Sequence, residues 1–561
     1  MSVRLAPTVD VAVNGTAYTV AVEGADVMLD EGWSPFGQVT IQAPVPSQAV
    51  LAALDPRTNP RVTVTMRQAG AAAQARALNV GVRTRAVDFV DGTLTLELAT
   101  DEAQLQDRGH TGTAPDESGR AYEANLRALV NWVLAKLPDA PHLEADAGAT
   151  ADLTIYADAT NLIANGSAEL DTAGWTAAGC TMARVSGTGT VPPAVGGWAF
   201  RLTAGTTTSS RMDSGPIAVS PGTTYRVGGQ WWGANLTGTA GPGVGCIAIR
   251  NANGDTMLLT TRPASGARTE GIWKCPPGVT SITLSVYLAV SGASSDVRWD
   301  ALFFGPVSGA HDTGYWDGDT PDTAVYRYDW TGTAKASTST RTNITGTSRA
   351  VDTFTVYPGV TWWEYLEPLV QVAGLRLYCD EARRWHLVNP ETWLIPGNIQ
   401  LQSGQNMRAA TDKVSRDTET WADVVVIHYR WTTSNEEPRE AWDSSGTGTK
   451  VLVEERSTPY PGPGAAAAIA ARMMRRGHEL DVDAVADLLA APSQSAAVLL
   501  PDSTELVTAS SSVRWTFPDG DMAVGLRDPI EVPKSAWIKL AVGESWLESP
   551  VGESWLEEVV A

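Results

Sequence analysis

Catalysis needs particular side chains at particular spacings, and few of those patterns occur in this chain. The six histidines, His110, His142, His311, His386, His428 and His478, are scattered, and none has a neighbouring cysteine or serine that would form a nucleophile–base pair. His386 and His428 sit in strand-like runs and read as ordinary strand residues. Cys180, Cys246, Cys275 and Cys379 form no CxxC and no Cys/His cluster at metal-ligand spacing, which argues against a zinc site. Isolated core thiols fit them better than a disulfide within the middle segment. No GxSxG, HExxH, P-loop or strand-linked GxGxxG occurs. Carboxylates are plentiful, yet no motif marks two of them as a glycosidase acid–base pair. The chain is therefore expected not to be an enzyme. Flat aromatic faces remain, and these stack against pyranose C–H groups while nearby polar groups read hydroxyls. Trp198, Trp231, Trp232, Trp273 and Trp316 are the candidates for carbohydrate binding. Trp231 and Trp232 are adjacent, so in a strand one faces in and the other out. Trp175 and Trp299 read as core.

The elements that must hold these rings are mostly strands. Gly 52 and Pro 33 are high in 561 residues, and Thr, Ser and Val recur in alternation, the texture of many short strands and turns. The expected fold class is mainly β with a few helices (α+β). The length calls for roughly three or four domains. The net charge of -22 repels phosphate backbones and anionic lipids, so no specific nucleic-acid binding is expected. It suits a soluble protein, or the lining of a passage along which DNA slides. The opening MSVRLAPTVDVAV has no apolar core of signal-peptide length, and no run of about 18 apolar residues appears. Synthesis in the cytoplasm and no membrane span are the expectations.

Along the chain, residues 1–155 begin with alternating Val9, Val11 and Val13, turn at Asn14-Gly15, and alternate away through Tyr18, Val20 and Val22, a hairpin signature. A second hairpin turns at Asp91-Gly92, with Val87 and Phe89 facing Leu94, Leu96 and Leu98. Residues 121–137 then place Tyr122, Leu126, Leu129, Val130, Val133, Leu134 and Leu137 on one helical stripe. Residues 156–345 are rich in Gly, Thr and Ser, with short alternating strands and no long helix, which predicts a jelly-roll sandwich. From 346 to 541 the first texture returns. Trp362, Leu366, Leu369, Val370 and Ala373 mark a helix stopped by Gly374, followed by a hairpin of LRLYCD and RWHLVN. A buried strand at WADVVVIHYRW, a helix over 465–480 and a hairpin over Asp519-Gly520 complete this part. Both outer segments use a helix that leads into a strand, so the middle reads as inserted into a two-part scaffold of small β-barrel or α+β domains. Residues 542–561 repeat VGESWLE, placing Trp546, Leu547, Trp555 and Leu556 beside glutamates; these are the candidates for docking onto a partner, and a loosely attached tail is the alternative.

The middle segment carries a resemblance. NLIANGSAELDTAGW (161–175) resembles the opening of the family 4/9-like carbohydrate-binding modules, and VRWDALFFG (297–305) resembles their closing strand. In that family the glutamate of the opening and the aspartate of the closing strand help hold a structural calcium, and the matching positions are Glu169 and Asp300. Hard oxygen ligands from both chain ends would pin such a sandwich closed; a plain hydrogen-bonded pair is the alternative. No cofactor is otherwise required. Ala168 stands where the family usually has an aromatic.

WDGDTPD (316–322) with the following YRYDWTGTAKASTST is similar to a segment of minor tail proteins of siphophages that infect actinobacteria. Asp317, Asp319 and Asp322 lack the later glutamate of an EF-hand and read as turn formers. VMLDEGWSPFGQVTIQAPVP and LDPRTNPRVTVTM resemble the N-terminal part of minor tail proteins from the same phages, and TWWEYLEPLVQVAGL, DKVSRDTETWADVVVIHY, MRRGHE and VRWTFPDGDMAVGLRD resemble, in order, the later domains of the tail-hub (tail-associated, baseplate-hub-like) family. That resemblance implies a homotrimeric ring at the virion tail tip. It also implies contact with the distal tail protein, the tape measure protein and tip or fibre proteins, and presentation of a module for host cell-wall glycan. Closed cyclic symmetry is what such a ring needs. Two other readings stay open: a distal tail ring protein with a carbohydrate-binding insertion, and a virion-associated glycan hydrolase, which a catalytic motif in 346–540 would mark.

Overall fold

The computed structural model describes residues 8–532 except 15, 19–21, 33, 69–73, 146–148, 188–192, 235, 237–242, 293, 308–313, 415, 417–420 and 434–436. The docking candidates Trp546, Leu547, Trp555 and Leu556, and His311, lie outside the described residues. The protein is mainly β, with five α-helices among the described residues. Contacts divide it into two compact units: one within Met1–Leu153, Phe354–Arg430 and Glu440–Ala561, the other within Thr154–Thr353 and Trp431–Arg439.

The first unit is organised by a 13-stranded sheet. Its order runs Thr16–Tyr18, Thr8–Val13, Arg61–Gln68, Gln74–Asp88, Thr93–Ala99, Gly37–Pro44, Gly24–Asp30, Glu505–Phe517, Asp521–Glu531, His478–Val485 and Met407–Val414, with Ser495–Leu499 and Asn398–Gln402 branching beside Glu505–Phe517. Alternation explains each strand. Gly37–Pro44 buries Val39, Ile41 and Ala43 and exposes the residues between them. The two chain ends meet where Gly24–Asp30 pairs antiparallel with Glu505–Phe517, Val27 opposite Trp515 and Leu29 opposite Val513. One continuous core therefore joins Leu29, Ile41, Leu96, Leu401, Val482 and Trp515. Each large side chain buried this way stabilises the fold by about 1.5–3 kcal/mol.

The five α-helices all lie within this unit, and three of them test the expected helices. Trp362–Val372 starts at a capping box between Thr361 and Glu364, and Gly374 follows it at φ 65. The helix expected over 121–137 is shorter, Leu126–Leu134, because Asn125 caps Ala128 N and Ser118–Tyr122 forms a separate 3-10 turn. The helix expected over 465–480 ends at Arg476: Gly477 lies so close to the Trp421 ring that no side chain would fit, and strand His478–Val485 begins at once. Phe89 does not face the leucines; register pairs Val87 with Leu94, and Phe89 is exposed in the turn. Among the described residues no helix is long and apolar enough to cross a membrane.

The second unit is an antiparallel sandwich. One sheet orders Thr181–Ser186, Trp198–Thr203, Asp296–Pro306, Thr224–Ala234 and Arg268–Lys274; the other orders Thr256–Leu259, Ile247–Asn251, Ser281–Tyr287, Arg211–Ser214 and Trp175–Ala178, with Ile217–Ala218 beside Ser281–Tyr287. Phe200, Trp231, Trp299 and Phe304 of the first sheet meet Met212, Ile249, Leu284 and Val286 of the second. Tyr225 stacks on Phe304 at 5.0 Å. A third sheet pairs Tyr326–Trp330 with Ser339–Asn343 and the latter with Ala159–Asn161. The segment following the sandwich is thereby tied to the strand that leads into it.

Candidate functional site

The sandwich is closed where its first and last residues meet. Asn161 Oδ1 accepts from Ile163 N and Phe304 N, both at 3.2 Å, while Leu162 N donates to Phe304 O at 2.7 Å. Gly166 accepts from Leu302 N at 3.0 Å, and a Cβ there would sit 2.6 Å from Leu302 O. Only glycine allows that approach. Asn165 Nδ2 donates to Asp171 O and Ala173 O at 3.1 Å, which fixes the turn into Trp175.

Glu169 and Asp300 converge on one short loop. Glu169 Oε1 accepts from Gly197 N and Trp198 N at 3.0 Å. Asp300 Oδ2 accepts from Ala194 N at 2.7 Å and Val195 N at 3.0 Å, and its Oδ1 accepts from Ala301 N at 2.6 Å. Burial raises the Asp300 pKa to about 7; the three backbone N–H bonds oppose that shift and the Glu169 charge adds to it. Calcium takes six to eight oxygen ligands. Here three of the four carboxylate oxygens already face N–H donors. Among the described residues no cluster of three or more His, Cys, Asp or Glu side chains could hold a metal. The arrangement fits a hydrogen-bonded clamp on residues 194–198 rather than an oxygen cage. Ala168, with φ 55 and fully buried, turns the chain so that its carbonyl meets Arg184 Nε at 2.7 Å.

Four of the five candidate rings are buried and cannot offer a face to a sugar. Trp231 is 1% exposed and lies 6.5 Å from Trp299 in the core. Trp232, expected to face outward if Trp231 faces in, is also buried. The reason is the loop over residues 263–267: Gln230 Nε2 donates to Gly266 O at 2.9 Å, Gly233 N donates to Ser265 Oγ at 2.9 Å, and Gly266 sits against the Trp232 indole. Trp273 is buried beside Tyr225, on the inner side of an edge strand. Trp316 packs edge-on against Phe303 at 5.4 Å, with Tyr328 and Arg341 over it. Trp198 is half-buried, with the Arg184 guanidinium 3.7 Å over its ring.

The outer side of the five-stranded sheet carries polar residues that a pattern of aromatics does not mark. Register sets Arg201 beside Arg298, Arg298 beside Trp232, and Arg268 beside Gln230. Arg201 pairs with Asp296 at 2.9 Å and Arg268 with Glu270 at 2.7 Å. Nε and Nη1 of Arg298 and Nη2 of Arg268 are buried with no hydrogen-bond partner among the described residues. Such donors cost free energy when left unmade. The sequence signal is period two: FRLT, YRVGGQWW and VRWD alternate a core residue with a charged or amide one. In WDGDTPD the aspartates hold turns: Asp317 Oδ1 accepts from Asp319 N at 2.9 Å, Asp319 Oδ1 from Trp330 Nε1 at 2.9 Å, and Asp322 Oδ1 from Tyr328 N at 3.0 Å.

No family model matches the chain, and no curated protein does. Among solved structures it is similar to a tail protein from Neisseria meningitidis, at 8% identity and a TM-score of 0.38, covering 93% of this chain and 97% of that one. A 43 kDa tail protein of a Shewanella oneidensis prophage matches at 10% identity and 0.38, covering 93% and 98%. The CBM22-1 xylan-binding domain from Paenibacillus barcinonensis Xyn10C matches at 14% identity and 0.19, over 27% of this chain and 94% of that one. All three scores lie below 0.5, too low to define a shared fold.

Proposed function

We propose that this protein is a structural, non-catalytic subunit of a bacteriophage tail. In this reading it is the hub at the tail tip, joins tube to tip or fibre proteins as a homotrimer, and presents a sandwich that holds host cell-wall glycan. Its partners would be the distal tail protein and the tape measure protein. The order of tail-like sequence segments supports the reading. The observation that carries it is the pairing of Gly24–Asp30 with Glu505–Phe517, which builds one sheet from the N-terminal and C-terminal parts of the chain, with most of a second compact unit, Thr154–Thr353, between them in sequence. That is the construction of a scaffold bearing a recognition module. Weak binding at a single sandwich suffices when several copies act together.

Imaging of assembled virions tests the assignment: density for this chain is expected at the tail tip, and density on the capsid, or absence from particles, would overturn it. The glycan site is tested by co-sedimentation with purified host cell wall. Arg298→Ala together with Arg201→Ala is expected to lower the bound fraction several-fold in a protein that still melts cooperatively, while equal binding by both proteins would remove the arginine face from the site.

A further inference from the structure

Within the first unit, helices Trp362–Val372 and Ala465–Arg476, the residues after strand Gly24–Asp30 and strand Asp521–Glu531 enclose a cavity of about 620 Å³. A cavity of about 300–1,000 Å³ takes a ligand of several rings. One wall is Ala467, Ala468 and Ala471, which leave a smooth apolar surface; Val370 and Trp363 are on the other helix. Four arginines line the same hollow, Arg376, Arg472, Arg475 and Arg527, against the glutamates Glu31, Glu367 and Glu391. Burial pushes the Glu367 carboxyl up toward its neutral form. Arg376 donates to Asp30 O at 3.2 Å and lies over Tyr378 at 4.7 Å, and Arg527 pairs with Glu31 at 2.5 Å. Arg475 pairs with Glu391, so in a chain of net charge -22 this apolar hollow carries a small positive excess, four arginines against three glutamates.

The repeat at the end of the sequence has the complementary chemistry. Residues 540–561 hold five glutamates and no lysine, arginine or histidine. In extended chain Glu544, Trp546 and Glu548 point the same way, as do Glu553, Trp555 and Glu557, so each copy offers a ring between two carboxylates. The tether is long enough. Val532 lies five residues beyond Arg527, roughly 17 Å along a strand, and the 14 residues from Val532 to Trp546 span up to about 50 Å. We propose that this cavity is the seat of the chain's own VGESWLE repeat: one tryptophan lies against the alanine wall and its flanking glutamates meet the arginines. Tethering supplies a local concentration on the order of millimolar, so modest intrinsic affinity fills the site. The duplicate copy then serves as a spare. This seat does not depend on the tail assignment.

The full-length chain tests it with a labelled synthetic peptide, VGESWLESP. Wild type is expected to bind the peptide at least tenfold more weakly than W546A/W555A, because its own repeat occupies the seat, while either single variant behaves as wild type. Ala467→Glu, at an exposed wall position, is expected to lower peptide binding to the double variant at least tenfold. Amide exchange over Ala465–Arg476 is expected to quicken in the double variant. Equal peptide binding by wild type and double variant, or binding unaffected by Ala467→Glu, would overturn the proposal. Oligomers of the wild type that the double variant loses would overturn docking within one chain.

Discussion

Asp300 is the residue whose environment departs furthest from its chemistry, being fully buried, next to Glu169 and raised to a pKa of about 7. Because its folded value lies above the ordinary 3.8, the fold favours the protonated acid. Its contribution to stability is complete below about pH 4 and is lost as pH rises through 7, an effect of at most ~4 kcal/mol. The sandwich transition in calorimetry is thus expected to be higher at pH 5 than at pH 8. Asp300→Asn is expected to flatten that dependence while lowering the transition at pH 5, since its amide would face the N–H groups of Ala194 and Val195. If millimolar calcium restores the wild type at pH 8 and leaves the variant unchanged, the two carboxylates hold a cation and the clamp reading fails. Which residues close the sandwich was legible from the motif that contains Glu169 and Asp300. The atoms they bind were not, because the 194–198 loop lies 106 residues from Asp300 at its start and carries no pattern of its own. The tryptophans misled for a related reason: alternation tells which side of a strand a ring takes, but not whether a loop such as 263–267 covers that side.

At the scale of elements, sequence reading succeeded where a stop or start is local. Thr361, Glu364 and Gly374 bracket helix Trp362–Val372, and the Asp519-Gly520 turn joins the strands expected; Thr8–Val13 pairs with Thr16–Tyr18, while Gly15 and Val20 lie outside the described residues. It overran where a tertiary neighbour sets the limit, as at Gly477 against Trp421. The capping box gives a direct test. Thr361 Oγ1 accepts from Glu364 N at 3.1 Å, and Glu364 Oε2 accepts from Thr361 N at 2.9 Å. Thr361→Ala removes the first and loosens the second, so a loss of about 1 kcal/mol is expected in chemical denaturation, with Thr361→Ser near wild type. A wild-type midpoint in the alanine variant would mean that packing of Leu366 and Leu369, rather than the cap, sets where this helix begins.

For the whole molecule, repeated texture marks 1–155 and 346–541 as alike, but neither the single sheet nor the grouping of Trp431–Arg439 with the second unit was legible. Asp26 and Arg514 form an ion pair across 488 residues, and no local pattern announces a partner so distant. The price of such a connection is loop closure, which grows only slowly with length, so a large insertion is tolerated if its two ends leave the scaffold near one another. They do. Leu153 N donates to Glu123 O at 2.8 Å, and Phe354 O lies 3.0 Å from where a Cβ on Gly119 would be, so both boundary residues sit against the one short turn over residues 119–123. A flexible linker of about eight Gly and Ser residues has a mean span of roughly 15 Å, enough for that gap. Replacing Thr154–Thr353 with it is therefore expected to leave a folded scaffold that keeps its strand content by circular dichroism and melts cooperatively. Such a protein should retain protected amides in Val27, Leu29, Val513 and Trp515, the residues on which the two chain ends meet. Rapid exchange at those four positions, with the remainder of the N-terminal strands still protected, would show that the sandwich is needed to bring the ends together and that the chain is not a scaffold carrying an insertion.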